Sequence, residues 1–465
     1  MKPTPTRSRL HHALSAAIVC ALIAPLGVQA KDSPKEQQLE ARIQQLEAEL
    51  AAIKDEIRAQ QRTVDHVAQQ QAAMPPPPPP APKEEPKSPV FSTAKGVSVA
   101  LHGFINASAF SQNRNFTFGN GQNAQFPIPG STGTLSGFDI RNTRFWLDFT
   151  GAQFNESWSG GGRIEMDFFG GFNGTGAYSQ QQPVPRLRQA YMDIANASTG
   201  TRVRIGQQWD LMFPIDNLAT SPTHVAFPLG FGNGYVGWRF PGVVVMQDLG
   251  QGGDTKWRFD VGAFSGSWNG PGSTVNYLTG GNVDFQPQLE ARIRASGSNW
   301  VAYVAGHYSK IDLKGVDGAA PTPVKSSVDS TGLEIGGQWK PGDWTLKGLL
   351  YTGNGLGEIF GNLAQFGDIG ETGGYVQVGY NFTKNWSING YYGMSKSDRD
   401  DVTAWLGNGS TGLLQSRQTA LSVIYASGPY QLGVEWLHDR LDSLNAGATR
   451  KTSGNQVSVS AQYTF

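Results

Sequence analysis

The chain has 465 residues, and its 37 basic residues balance its 37 acidic ones, so it carries no formal net charge. It contains a single cysteine, Cys20, and no stretch after the amino-terminal region reaches the roughly 18 consecutive apolar residues of a membrane-spanning helix. These features exclude a disulfide framework and helical membrane spans. They also give no sign of a nucleic-acid partner.

The first thirty residues, 1–30, predict a secretory signal peptide. Basic residues precede an apolar run over 13–26, and Val28-Gln29-Ala30 supplies a small-residue cleavage site. Cys20 lies inside the apolar run, so the exported chain has no thiol. An exported chain without a helical anchor, rich in Gly and aromatic residues, leaves two classes, a secreted β protein or a membrane β-barrel.

Residues 31–74 predict a coiled coil. Their apolar residues recur at alternating steps of four and three, and they are Leu39, Ile43, Leu46, Leu50, Ile53, Ile57, Val64 and Val67. Such a repeat fills heptad a and d positions, and the mixture of Ile and Leu favours a trimer or a higher state. The alternative is a single solvated helix.

Residues 75–96 predict a stiff linker. Six prolines run from Pro75 to Pro80 and end the helix. Consecutive prolines adopt the extended polyproline II conformation and act as a spacer. The other interpretation, a peptide ligand for a recognition domain, fits an exported bacterial chain less well.

Residues 97–465 predict an antiparallel β-barrel, because apolar and charged residues alternate with a period of two. Phe259 and Val261 alternate with Arg258 and Asp260, and the same pattern recurs around Phe145, Ile164, Val203 and Ile293. Carboxylates and guanidiniums along one face of strand after strand are unlike the apolar interior of a sandwich. They fit a wide barrel with lipid outside and water inside.

The connections predict about sixteen strands. Seven are short turns, Gly151–Ser157, Asn196–Gly200, Gly250–Asp254, Ser296–Asn299, Pro341–Asp343, Thr383–Asn385 and Ser427–Pro429. Eight are long loops, 110–137, 170–185, 209–232, 265–285, 310–328, 352–372, 396–415 and 440–453. The segment Tyr235–Leu249, interrupted at Pro241-Gly242, counts as either one strand or two. Short turns face the periplasm in such barrels, and an even strand count places the coiled coil there as well.

The final strand carries the strongest single pattern. Val457, Val459, Ala461, Tyr463 and Phe465 alternate with polar residues, and the chain stops on the aromatic residue. This ending resembles the closing strand of bacterial outer-membrane β-barrels. It favours the membrane barrel over the secreted β protein.

The whole architecture resembles the DcaP-like porin family. A sixteen-strand barrel with a long third loop is similar to the trimeric general porins, and the amino-terminal coiled coil and proline linker point to the DcaP-like group. The segments 188–194 (RQAYMDI) and 204–209 (RIGQQW) resemble porin strands leading into the constriction loop. The resemblance implies an outer-membrane homotrimer of water-filled barrels, embedded in lipid and lipopolysaccharide, that passes small and often anionic solutes.

Charged residues on the inner strand faces and on the third loop are the candidate pore-lining and solute-binding residues. They are Arg144, Arg163, Arg202, Arg204, Arg258, Arg292 and Arg294 on the wall, with Asp210 and Asp216 on the third loop facing them. Guanidiniums keep their charge and match carboxylates and phosphates, so they suit an anion route. The alternative is a charge-balanced wall of ordinary ion pairs.

The third loop, Trp209 to Gly232, is unusually apolar for a connection. It contains Pro214, Pro222, Pro228, Phe213, Phe227 and Phe231. Such a loop is a poor surface lid, and folded into the barrel it would narrow the pore. The alternative is a surface loop that covers the centre of a trimer.

The function predicted from the sequence is therefore an outer-membrane porin for passive diffusion of small hydrophilic solutes, with a preference for small anions such as carboxylates. Neither an enzyme nor a bound metal or cofactor is predicted, because the histidines are scattered without metal-ligand spacing. The alternative is a structural anchor whose periplasmic coiled coil tethers the outer membrane to peptidoglycan or to a periplasmic partner.

Overall fold

The computed structural model describes residues 96–176, 178–250, 253–265, 286–312 and 327–465, together with 90–92 and isolated positions between 42 and 58. The chain divides after Glu85 into two units, and the description that follows concerns the second. The isolated positions are helical and exposed. The signal peptide, the apolar seam of the coiled coil and the proline run lie outside the described residues and stay predictions.

One antiparallel sheet accounts for nearly all regular structure in the described part of the second unit. Its strands are β1 Val90–Ser92, β2 Ser98–Gln112, β3 Leu135–Asp139, β4 Arg144–Gln153, β5 Ser159–Asp167, β6 Arg186–Asn196, β7 Thr201–Trp209, β8 Arg239–Leu249, β9 Lys256–Phe264, β10 Gln288–Ser296, β11 Trp300–Asp312, β12 Ser327–Trp339, β13 Trp344–Asn354, β14 Gly370–Asn381, β15 Trp386–Ser397, β16 Leu413–Ser427, β17 Tyr430–Asn445 and β18 Ala448–Thr464. Helices are short and lie in the connections, namely α1 Leu356–Phe360, α2 Arg399–Ala404 and the 3-10 turns Gly121–Asn123, Ser179–Gln181 and Asn362–Ala364. No helix in the described part of the chain has the length and apolar character to cross a membrane.

Sixteen strands close the sheet into a barrel. Each strand from β4 to β18 pairs with the next, and β18 pairs back onto β2, which also pairs with β4. Strands β3 and β4 both pair with β2, above and below residues 140–143, and so form one interrupted wall strand. Strand β1 adds three residues beside the start of β2. The predicted all-β barrel of about sixteen strands is confirmed.

The two faces of the wall differ as the alternation predicts. Phe259 and Ile293 are each 41% exposed on the outer face, whereas Asp260 is 0% and Arg292 is 5% exposed on the inner face. An apolar outside with a polar inside is the inverse of a soluble core and suits hydrocarbon around the barrel.

All seven predicted short turns are present, and they share one end of the barrel. They span 154–158, 197–200, 250–255, 297–299, 340–343, 382–385 and 428–429. Segment 235–249 contributes a single strand, β8, which runs through Pro241 and Gly242. Seven of the eight predicted long connections also stand between strands, at the opposite end.

The long connection predicted over 440–453 is wrong. Strands β17 and β18 continue through this polar stretch and meet in a two-residue turn at Ala446-Gly447. Both turn residues have positive φ, 48° and 80°, as a tight hairpin turn that matches the strand twist requires. The polar composition of 440–453 reflects solvent around the end of the hairpin rather than a break in strand pairing.

The carboxyl-terminal residue closes the seam between the first and last wall strands. Gly103 N donates to Phe465 O at 3.1 Å, and Phe465 N donates to Gly103 O at 2.9 Å. The ring of Phe465 covers Gly103, where an added Cβ would lie 2.7 Å from the ring Cζ and 2.7 Å from the carbonyl oxygen of Arg144. The terminal aromatic residue therefore needs a neighbour that has no side chain.

Residues 210–238, called here the inserted loop, fold back into the barrel. Met212, Phe213, Leu229 and Val236 are buried in one hydrophobic cluster with inner-wall residues of β13, β14 and β17. Of the two alternatives for the third loop, the structure has the inward one. The connections 113–134 and 355–369 also pack inward, through buried residues such as Gln122 and Leu356.

Candidate functional site

The inserted loop leaves the wall between β7 and β8 and crosses the barrel to the opposite side. Midway, Lys347 Nζ of β13 donates to Leu218 O at 2.8 Å and to Thr220 Oγ1 at 2.7 Å. Gln377 of β14 accepts from Thr220 N at 2.6 Å and donates to Thr220 O at 2.7 Å. Polar side chains of the far wall thus satisfy loop backbone groups that would otherwise be buried without partners.

The tip of the inserted loop docks on β17 and β18. Glu435 accepts from Ser221 Oγ at 2.6 Å and lies 2.7 Å from His224 Nδ1, and the side chains of Glu435 and His224 are almost fully buried. Thr223 Oγ1 lies 2.7 Å from Ser458 Oγ. The tip is thereby held by a buried carboxylate of the wall.

The root of the inserted loop contradicts one sequence prediction. Asp210 was expected to face the wall arginines, but it accepts from Phe213 N at 2.8 Å and from Trp238 N at 3.0 Å. Burial and the nearby Glu290 carboxylate raise the pKa of Asp210 well above its usual value. Glu290 itself accepts from Leu211 N at 2.7 Å. Asp210 therefore stabilises the conformation of the loop, because its carboxyl oxygens accept hydrogen bonds from the loop backbone.

Asp216 is placed as the sequence predicts. Its two carboxylate oxygens accept from Arg294 Nε at 2.8 Å and Nη2 at 3.1 Å. The pair lines a cavity of about 600 Å³ at the turn end of the barrel, together with Lys256 and Lys340. Loop and wall thus meet here in a direct ion pair beside a water-accessible space, whose lining also includes Asp254.

Two further predicted arginines form two-point ion pairs with aspartates of the inner wall. Arg163 donates to Asp148 at 2.7 and 2.9 Å, and Arg204 donates to Asp193 at 2.7 and 2.8 Å. All four side chains are between 18% and 30% exposed, so they border water. Arg202 is exposed beside them. Two-point pairing holds these guanidiniums rigid while leaving part of each in contact with the barrel interior.

Arg258 and Arg292 share one carboxylate. Arg258 Nε lies 2.8 Å and Arg292 Nη2 lies 3.2 Å from Asp260, whose side chain is fully buried. Two guanidiniums on one carboxylate leave a local excess of positive charge. Six of the seven predicted wall arginines have acidic neighbours. This arrangement resembles the alternative of an ion-paired wall, except that the charges do not balance.

A further group of arginines, which the sequence analysis did not identify, lies near the end of the barrel that carries the long connections. Arg188, only 1% exposed, binds both Glu165 and Asp167, and Arg186 donates to Asp167 at 2.6 and 3.0 Å. Arg144, a predicted residue, lies 3.6 Å from Glu165 and donates to Val225 O of the inserted loop at 3.3 Å. The spacing Arg186-x-Arg188, the same as in Arg202-x-Arg204 and Arg292-x-Arg294, was the available signal.

Aromatic rings surround this arginine group. The ring of Trp209 stacks on Phe213 at 3.7 Å and meets Trp238 edge-on at 5.9 Å. The guanidinium of Arg239 lies 4.5 Å from the Trp209 ring and 4.2 Å from the Trp238 ring. Cation–π contacts thus replace carboxylates as the partners of Arg239 among the described residues.

Charge is distributed unevenly around the barrel. Strands β4 to β10 carry eleven basic and seven acidic residues, whereas strands β11 to β18 carry seven of each. Although the whole chain carries no formal net charge, one side of the wall therefore has an excess of four positive charges. The described residues contain no group of three His, Cys, Asp or Glu side chains placed to hold a metal ion.

Comparison with solved structures identifies the architecture. No protein-family model matches the sequence, and no curated protein matches it either. The outer-membrane channel DcaP of Acinetobacter baumannii superposes with a TM-score of 0.61 at 19% identity, over 81% of this chain and 99% of that one. The chain has the fold of an outer-membrane channel.

Two other solved barrels share this porin-like fold at greater distance. OmpF of Salmonella typhi, in complex with daunomycin, has a TM-score of 0.51 at 14% identity, over 81% of this chain and 100% of its own. An anion-selective porin from Comamonas acidovorans has a TM-score of 0.50 at 13% identity, over 79% and 100%. At such identities the likeness concerns the path of the backbone.

Proposed function

We propose that the protein is an outer-membrane porin for passive diffusion of small hydrophilic solutes, with a preference for small anions such as carboxylates. The observation that carries the proposal is the excess of four positive charges on strands β4 to β10, which face the interior of a porin-like barrel. Membership of the channel fold supports transport, and an anion-selective porin is among the barrels with this fold.

The inserted loop increases the influence of the uneven wall charge on permeating solutes. It fills part of the interior next to β13, β14 and β17, so solutes pass closer to the basic side of the wall. Charges act more strongly in a narrow space bordered by low-dielectric material than in open water. Arg163, Arg202 and Arg204 border this space, and guanidiniums remain charged at every physiological pH.

Single-channel conductance distinguishes the porin proposal from the alternative of a structural anchor. Single channels of the full-length protein in planar bilayers are expected to open as discrete, long-lived ionic current steps. Well-folded protein that inserts without any current would contradict the porin proposal and favour the anchor. The inserted loop is held at its root, middle and tip, so frequent spontaneous closure is not expected.

Removing wall arginines is expected to weaken the anion preference. In Arg204→Ala, Asp193 loses its partner, and in Arg292→Ala the Asp260 site loses one of its two cations. At about 8 Å a unit charge in water contributes about 0.5 kcal/mol to an anion and the opposite to a cation, so its loss corresponds to an about fivefold fall in the anion-to-cation permeability ratio. The ratio is measured from reversal potentials in a salt gradient. Arg450→Ala removes an equal charge from an exposed position near the β17–β18 turn and is the matched control; equal ratios in all four proteins would contradict the proposed role.

The barrel is further proposed to assemble as a homotrimer. The outer face around β2 and β5 combines small residues, Ala107, Gly160 and Gly162, with exposed Ile105 and Ile164, which suits close contact between copies. Removal of residues 31–89 is expected to leave trimers in detergent, because barrel contacts dominate, and native mass measurement tests this. Monomers from the full-length protein would contradict the proposal.

A further inference from the structure

Arg239, at the start of β8, has an unusual environment for a buried cation. It is 6% exposed, and its buried Nη1 atom makes no hydrogen bond. The guanidinium carbon lies 4.5 Å from the Trp209 ring centroid and 4.2 Å from the Trp238 ring centroid, and these two rings meet edge-on. Nη1 is therefore a buried donor without an acceptor.

Two more guanidiniums gather on the same indole pair. Arg188 lies 5.7 Å from the Trp209 ring and Arg186 lies 6.0 Å from the Trp238 ring. Both repel the charge of Arg239. Three like charges around two rings are unfavourable unless negative charge compensates them.

The nearby carboxylates are already occupied. Glu165 and Asp167 pair with Arg144, Arg186 and Arg188, so with Arg239 four guanidiniums face two carboxylates. Asp210 does not supply the missing charge, because burial and the nearby Glu290 carboxylate raise its pKa and favour its neutral form. Within the described part of the chain, Arg239 lies in no ion pair. A buried charge left uncompensated costs several kcal/mol.

We propose that this cluster, defined by Arg186, Arg188, Arg239, Trp209 and Trp238, binds one small inorganic anion as a resident counter-ion. An anion of chloride size would accept from the unpartnered Nη1 of Arg239. The surroundings favour a monatomic ion over an organic acid, because Arg188 and the neighbouring Tyr235 are each only 1% exposed. The Tyr235 hydroxyl, also without a hydrogen-bond partner, is a second donor in this neighbourhood.

The site has a structural consequence for the inserted loop. Trp209 directly precedes the loop and Trp238 is its last residue, so the anion would neutralise positive charge beside both ends of the loop. A ligand that binds only the folded state raises its stability in proportion to occupancy. The proposed site does not depend on solute transport. It is separate from the water-accessible ion pairs of Arg163 and Arg204.

Bromide is the probe, because it mimics chloride and scatters X-rays anomalously. Crystals of the full-length protein grown in sodium bromide are expected to show an anomalous peak within hydrogen-bond reach of Arg239. In detergent, the unfolding temperature of the wild type is expected to be about 2 °C or more higher in chloride or bromide than in gluconate at equal ionic strength. Arg239→Gln should lose this difference, and Arg450→Gln should keep it.

Each outcome decides the inference. An anomalous peak together with halide-dependent stability in the wild type supports it, even if Arg239→Gln fails to fold. Bromide elsewhere but not at Arg239, or a peak with no difference between salts and hence an adventitious ion only, overturns it. Halide binding in a protein that carries no current would contradict the transport proposal while leaving this site intact.

Discussion

Replacing Glu435 with Ala is expected to release the tip of the inserted loop. The Glu435 carboxylate is the shared acceptor for Ser221 and His224, and all of its side chain is buried. Removing this acceptor leaves the donors of Ser221 and His224 without their partner, and a buried donor left unsatisfied costs on the order of 1–3 kcal/mol. The variant should show noisy, flickering single-channel current and faster chymotryptic cleavage at the loop phenylalanines, while the barrel itself remains folded.

Asp442→Ala is the matched control for this experiment. Asp442 lies on the same strand, β17, and pairs with Arg417 and Arg440 rather than with the inserted loop. Its current noise and cleavage rate should equal those of the wild type. If Glu435→Ala also behaved like the wild type, the tip would be held by other contacts, such as the Thr223–Ser458 hydrogen bond.

Replacing Gly103 with Val is expected to prevent closure of the barrel. A Cβ at this position would lie 2.7 Å from both the Phe465 ring and the backbone oxygen of Arg144. The ring can move but the backbone oxygen is fixed in the β2–β4 ladder, so the cost exceeds the about 1–3 kcal/mol of ordinary overpacking. Folded protein, measured by heat-modifiable migration on gels, should fall severely.

Gly390→Val serves as the control for Gly103→Val. Gly390 lies in β15, and a Cβ there would meet nothing within 4 Å. This variant should fold to the same extent as the wild type. Equal folding of both variants would show that the terminal Phe does not need the space above Gly103.

The wall was predictable because its signal is local. Each strand shows its inner and outer faces within a few residues, as in the alternation of Arg258 and Asp260 with Phe259 and Val261. The turns were located correctly for the same reason. The prediction failed over 440–453, where strands extend past the apolar band and polar residues occupy both faces.

The site was only partly predictable because its contacts connect distant parts of the chain. Asp216 was expected to face part of the arginine ladder of the wall, and it meets Arg294 there. Nothing near His224 indicates that Glu435, 211 residues away, would be its partner. Asp210 was misassigned because its backbone hydrogen bonds depend on the conformation of the loop, which a residue-type argument does not include.

The reversal potential of the wild-type channel tests the central claim most directly. Full-length protein is inserted into planar bilayers separating concentrated from dilute potassium chloride, a salt whose two ions have similar mobility in water. With the excess of positive charge on strands β4 to β10, the account predicts a potential of the sign set by chloride, with an anion-to-cation permeability ratio above one. A potential of the sign set by potassium would contradict the anion preference, whatever the conductance.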